Sequence, residues 1–308
     1  MPARYAFLGP VGTFAHAALL RIPAAADTEQ LPMATVTLAI DAVRSGAADG
    51  ALVPMENSVE GAVPATLDEL ANGEQSLAIA QETYLPVEFD LLVREGTTLD
   101  EIRTITTHPH AEAQVRRFLL TNLPGAHHAA AGSTAAGAGL VASGEADAAV
   151  APPTAGERYG LVSLARDIAD HPGAVTRFVL LTRAGRPGPP TGNDRSTLVA
   201  YLREDHSGAL LEILTEFAMR GVNLTRIESR PTKGRLGQYC FSIDCEGHIR
   251  DARVGDALAA IHRICADVRF LGSYPRADGV QGPVLIGRSD PDFADATAWL
   301  ASVRDTGA

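Results

Sequence analysis

The chain has 308 residues, 46% of them hydrophobic and 20% charged, and carries a formal charge of −11. That is the composition of an ordinary soluble globular protein long enough for two or three domains. The acidic balance argues against a nucleic-acid surface, whose footprint is basic, and leaves room for a local basic pocket.

Tyr5–Leu8 reads as a short strand, followed by a Gly9–Gly12 turn and a helix from about Thr13. Leu38–Arg44 is helical, Gly50–Pro54 is a buried strand, and Asp68 and Glu69 sit within a helix as a solvated acidic face. Leu77–Val93 is extended, with Val87, Phe89, Leu91 and Val93 alternating. Ile102–Thr106 is a strand, Ala111–Leu120 and Ser133–Ser143 are helices, and Ala146–Ala151 and Val175–Thr182 are strands; His127 and His128 read as surface residues. Alternating β and α units imply a doubly wound, mostly parallel α/β sheet. A single sheet and two small lobes with a cleft between them, joined by long central strands, fit this pattern equally well.

The Gly-, Pro- and Asn-containing stretch Arg183–Arg195 reads as a linker. Beyond it, Ser196–Leu202, Gly208–Arg220, Leu224–Ser229, Gln238–Cys245, Ala252–Ala266 and Val268–Tyr274 read β-α-β-β-α-β, the ferredoxin-like split βαβ. Leu210, Ile213, Leu214 and Phe217 fall at i, i+3, i+4 and i+7, a core stripe, between Ser207 as N-cap and Gly221 as C-cap. The tail, Ala277–Ala308, is polar apart from an amphipathic segment around Phe293–Val303 that carries the sole tryptophan, Trp299. Cys240, Cys245 and Cys265 form neither a disulfide framework nor a CxxC pair, so they read as buried thiols of a reducing compartment. "MPARYAFLGPVG" has no long apolar segment of a signal peptide, and Ala129–Ala142 is too short to span a bilayer, so a cytoplasmic protein is expected.

Several βα junctions end in small hydrogen-bonding residues: "GPVGTFAH" with Thr13, "PMENSVEG" with Glu56, Asn57 and Ser58, "TTHPHAEA" with Thr107 and His108, and "GSTAAG" with Ser133 and Thr134. Each alone is an ordinary helix cap. Together, at the carboxyl ends of strands and the amino ends of helices, they suggest a small anionic ligand with more than one carboxylate. The Gly9–Gly12 turn has neither GKS/T nor GxGxxG, which argues against a nucleotide. His108 and His110 lack the cysteines or spaced carboxylates that complete a metal shell, so no metal is expected. In "AVTRFVLLTR" (Ala174–Arg183), the fork of Arg177 suits a carboxylate or, equally, a salt bridge on the strand's solvent side. Thr176 is a hydrogen-bond donor or a residue placed by β-propensity.

"YAFLGPVGTFAHAAL", "VPMENSVEGAVPATLDEL", "STAAGAGLV", "ERYGL" and "TRFVLL" resemble the prephenate dehydratases, and "HSGALLEIL" with "ESRPTKGRLGQYCFSIDCEGH" resembles their regulatory ACT domain. The resemblance runs over residues 4–275 and implies a two-lobed catalytic domain shaped like a periplasmic binding protein (1–183), a linker (184–194), an ACT domain (195–275) and a tail (276–308). The implied reaction converts prephenate to phenylpyruvate with loss of water and CO2, without cofactor or metal. The resemblance implies that Thr176 donates a proton or a hydrogen bond to the departing ring hydroxyl and that Arg177 holds a carboxylate, with Asn57, Ser58 and Ser133 positioning the substrate. It adds Glu56, Thr13, Thr134, His108 and Phe178 as substrate contacts. "DHPGAV" stands before Thr176 where the family commonly has asparagines, and "HPH" stands where it often has His-Pro-Gln, which weakens any role for His171, Ala174 and His110. In the ACT domain, Ser207, Gly208, Ala209, Leu210 and Leu211, with Glu228, Ser229, Arg230 and Pro231, are the implied L-phenylalanine contacts at an interface between chains. A homodimer or homotetramer under feedback inhibition follows. An arogenate dehydratase and a non-catalytic two-lobed metabolite sensor are the alternatives, and the intact Thr176–Arg177–Phe178 run argues against the sensor.

Overall fold

The computed structural model describes residues 3–25, 28–73, 77–232 and 239–305. It divides into two compact units, one comprising the chain up to Val63 with Thr83–Val179, the other Pro64–Glu82 with Leu180 onward. In chain order the elements begin β1 (Arg4–Leu8), α1 (Phe14–Leu20), β2 (Glu29–Met33), α2 (Val36–Arg44), β3 (Gly50–Asn57), β4 (Gly61–Ala62), α3 (Pro64–Asn72), β5 (Leu77–Pro86) and β6 (Asp90–Val93). Then come β7 (Thr104–Thr107), α4 (Pro109–Gln114), α5 (Arg116–Asn122), β8 (His127–Ala130), α6 (Thr134–Ser143), β9 (Ala148–Ala151), α7 (Pro153–Tyr159), β10 (Val162–Ala165) and β11 (Val175–Arg183).

Two sheets, not one, result. The first runs β2-β1-β3-β11-β5 with β4 on β3, the second β10-β6-β9-β7-β8. Parallel pairing of β1 with β2 and β3, and of β7 with β8 and β9, follows from the helical crossovers between them. In α2, Val36, Ala39, Ile40 and Val43 recur at helical spacing and are buried, and the Thr35 side chain caps the helix by accepting from the Leu38 N–H at 3.1 Å. Three sequence readings change. The extended run Leu77–Val93 is two strands in different sheets, broken at Val87–Phe89, so it is the crossing between them. The helix read over Ala111–Leu120 breaks at Val115 (φ −125°, ψ 15°) into α4 and α5. Strand β2 went unread because "EQLPM" has no alternation and no fully buried side chain.

In the second unit, β12 (Asp194–Tyr201), α8 (Ala209–Ala218), β13 (Leu224–Pro231), β14 (Tyr239–Glu246), α9 (Ala252–Ile264) and β15 (Asp267–Pro275) give the expected βαββαβ order, followed by α10 (Asp290–Asp305). The sheet order β13-β14-β12-β15 makes β13 an edge strand. Leu198, Ile213, Phe217, Phe241, Ile243, Val254 and Ile261 form its core. Its other face is polar and ion-paired: Arg195 meets Glu82 at 2.6 Å with both buried, and Arg226 holds Asp244 bidentately at 2.9 and 3.0 Å. Asp68, read as a solvated charge, pairs instead with Arg230 at 2.7 Å. The cap of α8 is Gly208 at φ +96°, not Ser207, and its C-cap is Met219, with Gly221 two residues beyond at φ +64°. Gln238, read as a strand residue, lies outside the described residues. Helix α10 carries no buried residue and Trp299 is exposed. The three cysteines are buried, and burial pushes the Cys245 and Cys265 thiols up to about 12 and about 11, which keeps them protonated and unreactive at neutral pH. Among the described residues, no helix is long and apolar enough to cross a membrane.

Candidate active site

The first unit encloses a cleft of about 430 Å³. Its rim is built from the turns the sequence marked. Thr13 caps α1, accepting from the His16 N–H at 3.4 Å while its hydroxyl donates to the Leu8 carbonyl at 3.0 Å. Ser133 caps α6 by accepting from the Ala136 N–H at 3.0 Å. Thr134 follows it, 7% exposed, in a first turn whose N–H groups have no partner within the helix. Helix α6 lies close on β7 because residue 137 is glycine: a Cβ there would sit 3.1 Å from the Thr106 carbonyl oxygen. That close packing fixes where the amino end of α6 points.

Thr176 enters the cleft from β11. Its hydroxyl oxygen accepts from the Asn57 side-chain amide at 2.9 Å. The Asn57 carbonyl oxygen is in turn held by the N–H groups of Val59 and Glu60, at 2.8 and 3.0 Å. With the asparagine fixed as donor, the Thr176 proton is directed away from it. Phe178 shares the same face of β11, and Phe14 and Phe89, packed edge to face at 5.4 Å, supply an aromatic wall with Val87.

His108 caps α4 through Nδ1, which accepts from the His110 N–H at 3.3 Å, and its ring stacks on that of His110 at 5.2 Å. A neutral His108 therefore carries its proton on Nε2. Burial first, and repulsion by His110 second, hold its pKa below the ordinary value.

Seven of the expected catalytic-domain residues thus meet around one cavity: Thr13, Asn57, His108, Ser133, Thr134, Thr176 and Phe178. Three do not line it. Arg177, 2% exposed, turns to the other side of β11 and donates to Glu56 at 2.8 Å. The expected clamp and the expected substrate-binding carboxylate therefore neutralise each other. Ser58 is exposed and joins β11 to the β3 turn: its hydroxyl accepts from the Val175 N–H and its own N–H donates to the Val175 carbonyl, both at 2.9 Å. Among the described residues no arginine or lysine lines the cleft, so the donors it offers an anion are helix N–H groups, hydroxyls and the rings of His108 and His110. Phe14, Val87, Phe89, His110 and Gln114 line the cleft without having been singled out as site residues. The alternation of Val87 and Phe89 reads as core, and nothing in it signals a wall.

In the second unit, Ser207, Gly208, Ala209, Leu210 and Leu211 open α8. Ser207 is exposed, Ala209 is buried, Leu211 is 65% exposed, and open space surrounds the missing Gly208 Cβ. Glu228, Ser229, Arg230 and Pro231 end the edge strand β13, with the Arg230 guanidinium committed to Asp68.

A family model described as prephenate dehydratase matches residues 5–186, and one described as ACT domain matches residues 196–263. A prephenate dehydratase of Amycolatopsis methanolica is 52% identical over 303 residues, covering 98% of each chain. The crystal structure of a prephenate dehydratase from Arthrobacter aurescens in complex with L-Phe superposes with a TM-score of 0.93 at 49% identity, covering 98% of this chain and 100% of that one. The structure of GqqA, described as a quorum quenching acylase, has a TM-score of 0.78 at 33% identity, covering 88% of this chain and 97% of that one.

Proposed function

The chain belongs to the prephenate dehydratase family, and we propose from that premise that the cleft of its first unit converts prephenate to phenylpyruvate, water and CO2. The observation that carries this reading is the hydroxyl of Thr176, fixed by Asn57 with its proton free to point into a cavity walled by Phe14, Phe89 and Phe178. The ring hydroxyl of prephenate leaves as water when it gains a proton. The ring carboxylate leaves as neutral CO2, and its electron pair completes the aromatic ring. A strong cation on that departing carboxylate would stabilise the ground state and slow its loss. An aromatic wall without arginine favours the step that destroys the charge, because removal from water raises the carboxylate's energy more than that of CO2. The side-chain carboxylate keeps its charge throughout, and the first turn of α6 with Ser133 and Thr134 offers it N–H and O–H donors.

Thr176 is therefore assigned as proton or hydrogen-bond donor, Asn57 as its positioner, Ser133, Thr134, Thr13 and His108 as substrate contacts, and Ser58 as a clasp on β11. Arg177 and Glu56 are assigned to holding the strand. An acylase needs a base beside its nucleophile. The side-chain partner of Thr176 is an amide, and the Ser133 oxygen accepts from a backbone N–H, so the dehydratase reading is the better supported. We further assign L-phenylalanine as effector, bound around Gly208–Leu211 and Glu228–Pro231 where edge strand β13 is available to a second copy, in a cytoplasmic homo-oligomer. This rests on the ACT match and on the ligand of the Arthrobacter protein. The test is phenylpyruvate formation from prephenate, with and without phenylalanine. Thr176→Ala should lower kcat by about 10²–10³, the worth of one positioned donor, with the fold retained. A folded Thr176→Ala enzyme with kcat within twofold of the parent would remove Thr176 from the chemistry.

A further inference from the structure

The second unit holds a cavity of about 300 Å³ that takes no part in the reaction above and is not lined by the residues assigned to phenylalanine. It lies among the start of β12, the β14–α9 turn, the first turn of α9 and the tail between Gln281 and Pro291. Arg253 of α9, 7% exposed, lines it, and Nη1 of that guanidinium donates to the carbonyls of Gly221 and Pro283 at 3.2 and 3.5 Å. Arg288 of the tail faces the same space. Among the described residues, no carboxylate is ion-paired with either arginine. A guanidinium this buried is ordinarily matched by an anion, because desolvation of an unmatched charge is costly.

The carboxylates around the cavity are engaged differently. Glu246 is held by Arg276 at 2.6 Å, and Asp194 accepts from the N–H groups of Thr191 and Gly192 at 2.7 and 3.2 Å. Asp251 accepts from the His248 N–H and Asp290 from the Ala252 N–H, each at 2.8 Å and each through one oxygen, leaving acceptor capacity on the other. Among the described residues, the cavity thus presents one buried and one half-buried arginine, neither paired with a carboxylate, beside two carboxylates that each keep an oxygen able to receive a cation.

We propose that this cavity binds a free α-amino acid, with the ligand carboxylate on Arg253 and Arg288 and its ammonium on Asp251 and Asp290. A phosphate ester would meet four surrounding carboxylates, and a simple amine leaves both arginines unmatched. The volume stands at the small end of ligand pockets, right for an amino acid and too small for a nucleotide. Because Arg253 and Asp251 belong to the α9 turn while Arg288 and Asp290 belong to the tail, the ligand ties the tail to the ACT core.

Thermal denaturation of the full chain tests this, with each of the twenty L-amino acids at millimolar concentration and propionate and propylamine as single-charge controls. Arg253 is too buried to replace without risk to the fold, so Arg288→Gln and Asp290→Asn carry the test. At least one amino acid should raise Tm by about 3 °C at ten times its Kd. Both variants should lose that rise while keeping parental turnover of prephenate. The proposal is overturned if no amino acid gives a rise that depends on Arg288, or if propionate alone gives the full rise.

Discussion

The pairing of Arg177 with Glu56 makes a sharp prediction, because a substrate clamp and a structural ion pair fail in different ways. The Arg177 side chain is 3% exposed and that of Glu56 is 34% exposed, so the two truncations are unequal. Glu56→Gln takes the carboxylate from a buried guanidinium. Arg177→Met leaves a carboxylate that already reaches water. Breaking a buried pair from one side costs about 3–5 kcal/mol, and the exposure of Glu56 pulls the expectation to about 3 kcal/mol for Glu56→Gln and about 2 kcal/mol for Arg177→Met. At about 2–4 °C per kcal/mol for a domain of this size, Tm should fall by about 6–12 °C and about 4–8 °C respectively. The double variant should be less damaged than the sum by about 1 kcal/mol or more, the mark of two groups in contact. Scanning calorimetry gives Tm, and steady-state kinetics well below the transition gives KM for prephenate, expected within about threefold of the parent in each variant. An Arg177→Met enzyme with Tm unchanged within 2 °C and KM raised more than tenfold would refute the structural assignment and restore the clamp.

Two further outcomes follow from the cleft. The lowered pKa of His108 means that the unfolded chain takes up a proton near the ordinary 6.5 while the fold resists it. Its contribution to stability is therefore complete above 6.5 and is lost as pH falls through the lower folded value. An NMR titration of the His108 ring should show a midpoint below 6.5 that moves upward in His110→Gln, and a parental midpoint at or above 6.5 contradicts the burial argument. Gly137→Ala gains up to about 1 kcal/mol of helix propensity but pushes a methyl against the Thr106 carbonyl of a strand held on both sides by β8 and β9. Overpacking at about 1–3 kcal/mol should win, so Tm falls and kcat/KM drops several-fold as the first turn of α6 shifts; a raised Tm would show that the contact yields.

Much of this was legible in the chain. Caps announce themselves by residue type, and Thr13, His108 and Ser133 each cap the helix whose start they mark. The βαββαβ order is set by local periodicity and the second unit follows it; of the expected stripe of α8, Ile213 and Phe217 are buried in the core, Leu210 packs against it, and Leu214 is only half-buried. What periodicity does not carry is which strands become neighbours. Thr176 and Asn57 are 119 residues apart and Arg177 and Glu56 are 121 apart, and all four meet because β11 returns from the second sheet to lie beside β3 in the first. The strand's own parity then divides its residues: Thr176 and Phe178, two apart, share the cleft face, and Arg177 between them points to the opposite one. The run "VTRF" does not alternate in hydrophobicity, and Phe178–Leu181 are buried on both faces, so the sequence gives no sign of which side of β11 faces the cleft. The adjacent threonine and arginine therefore lie on opposite faces of one strand. One strand presents a hydroxyl to the cleft, while the next residue's charge lies on the other face of the strand, paired with Glu56.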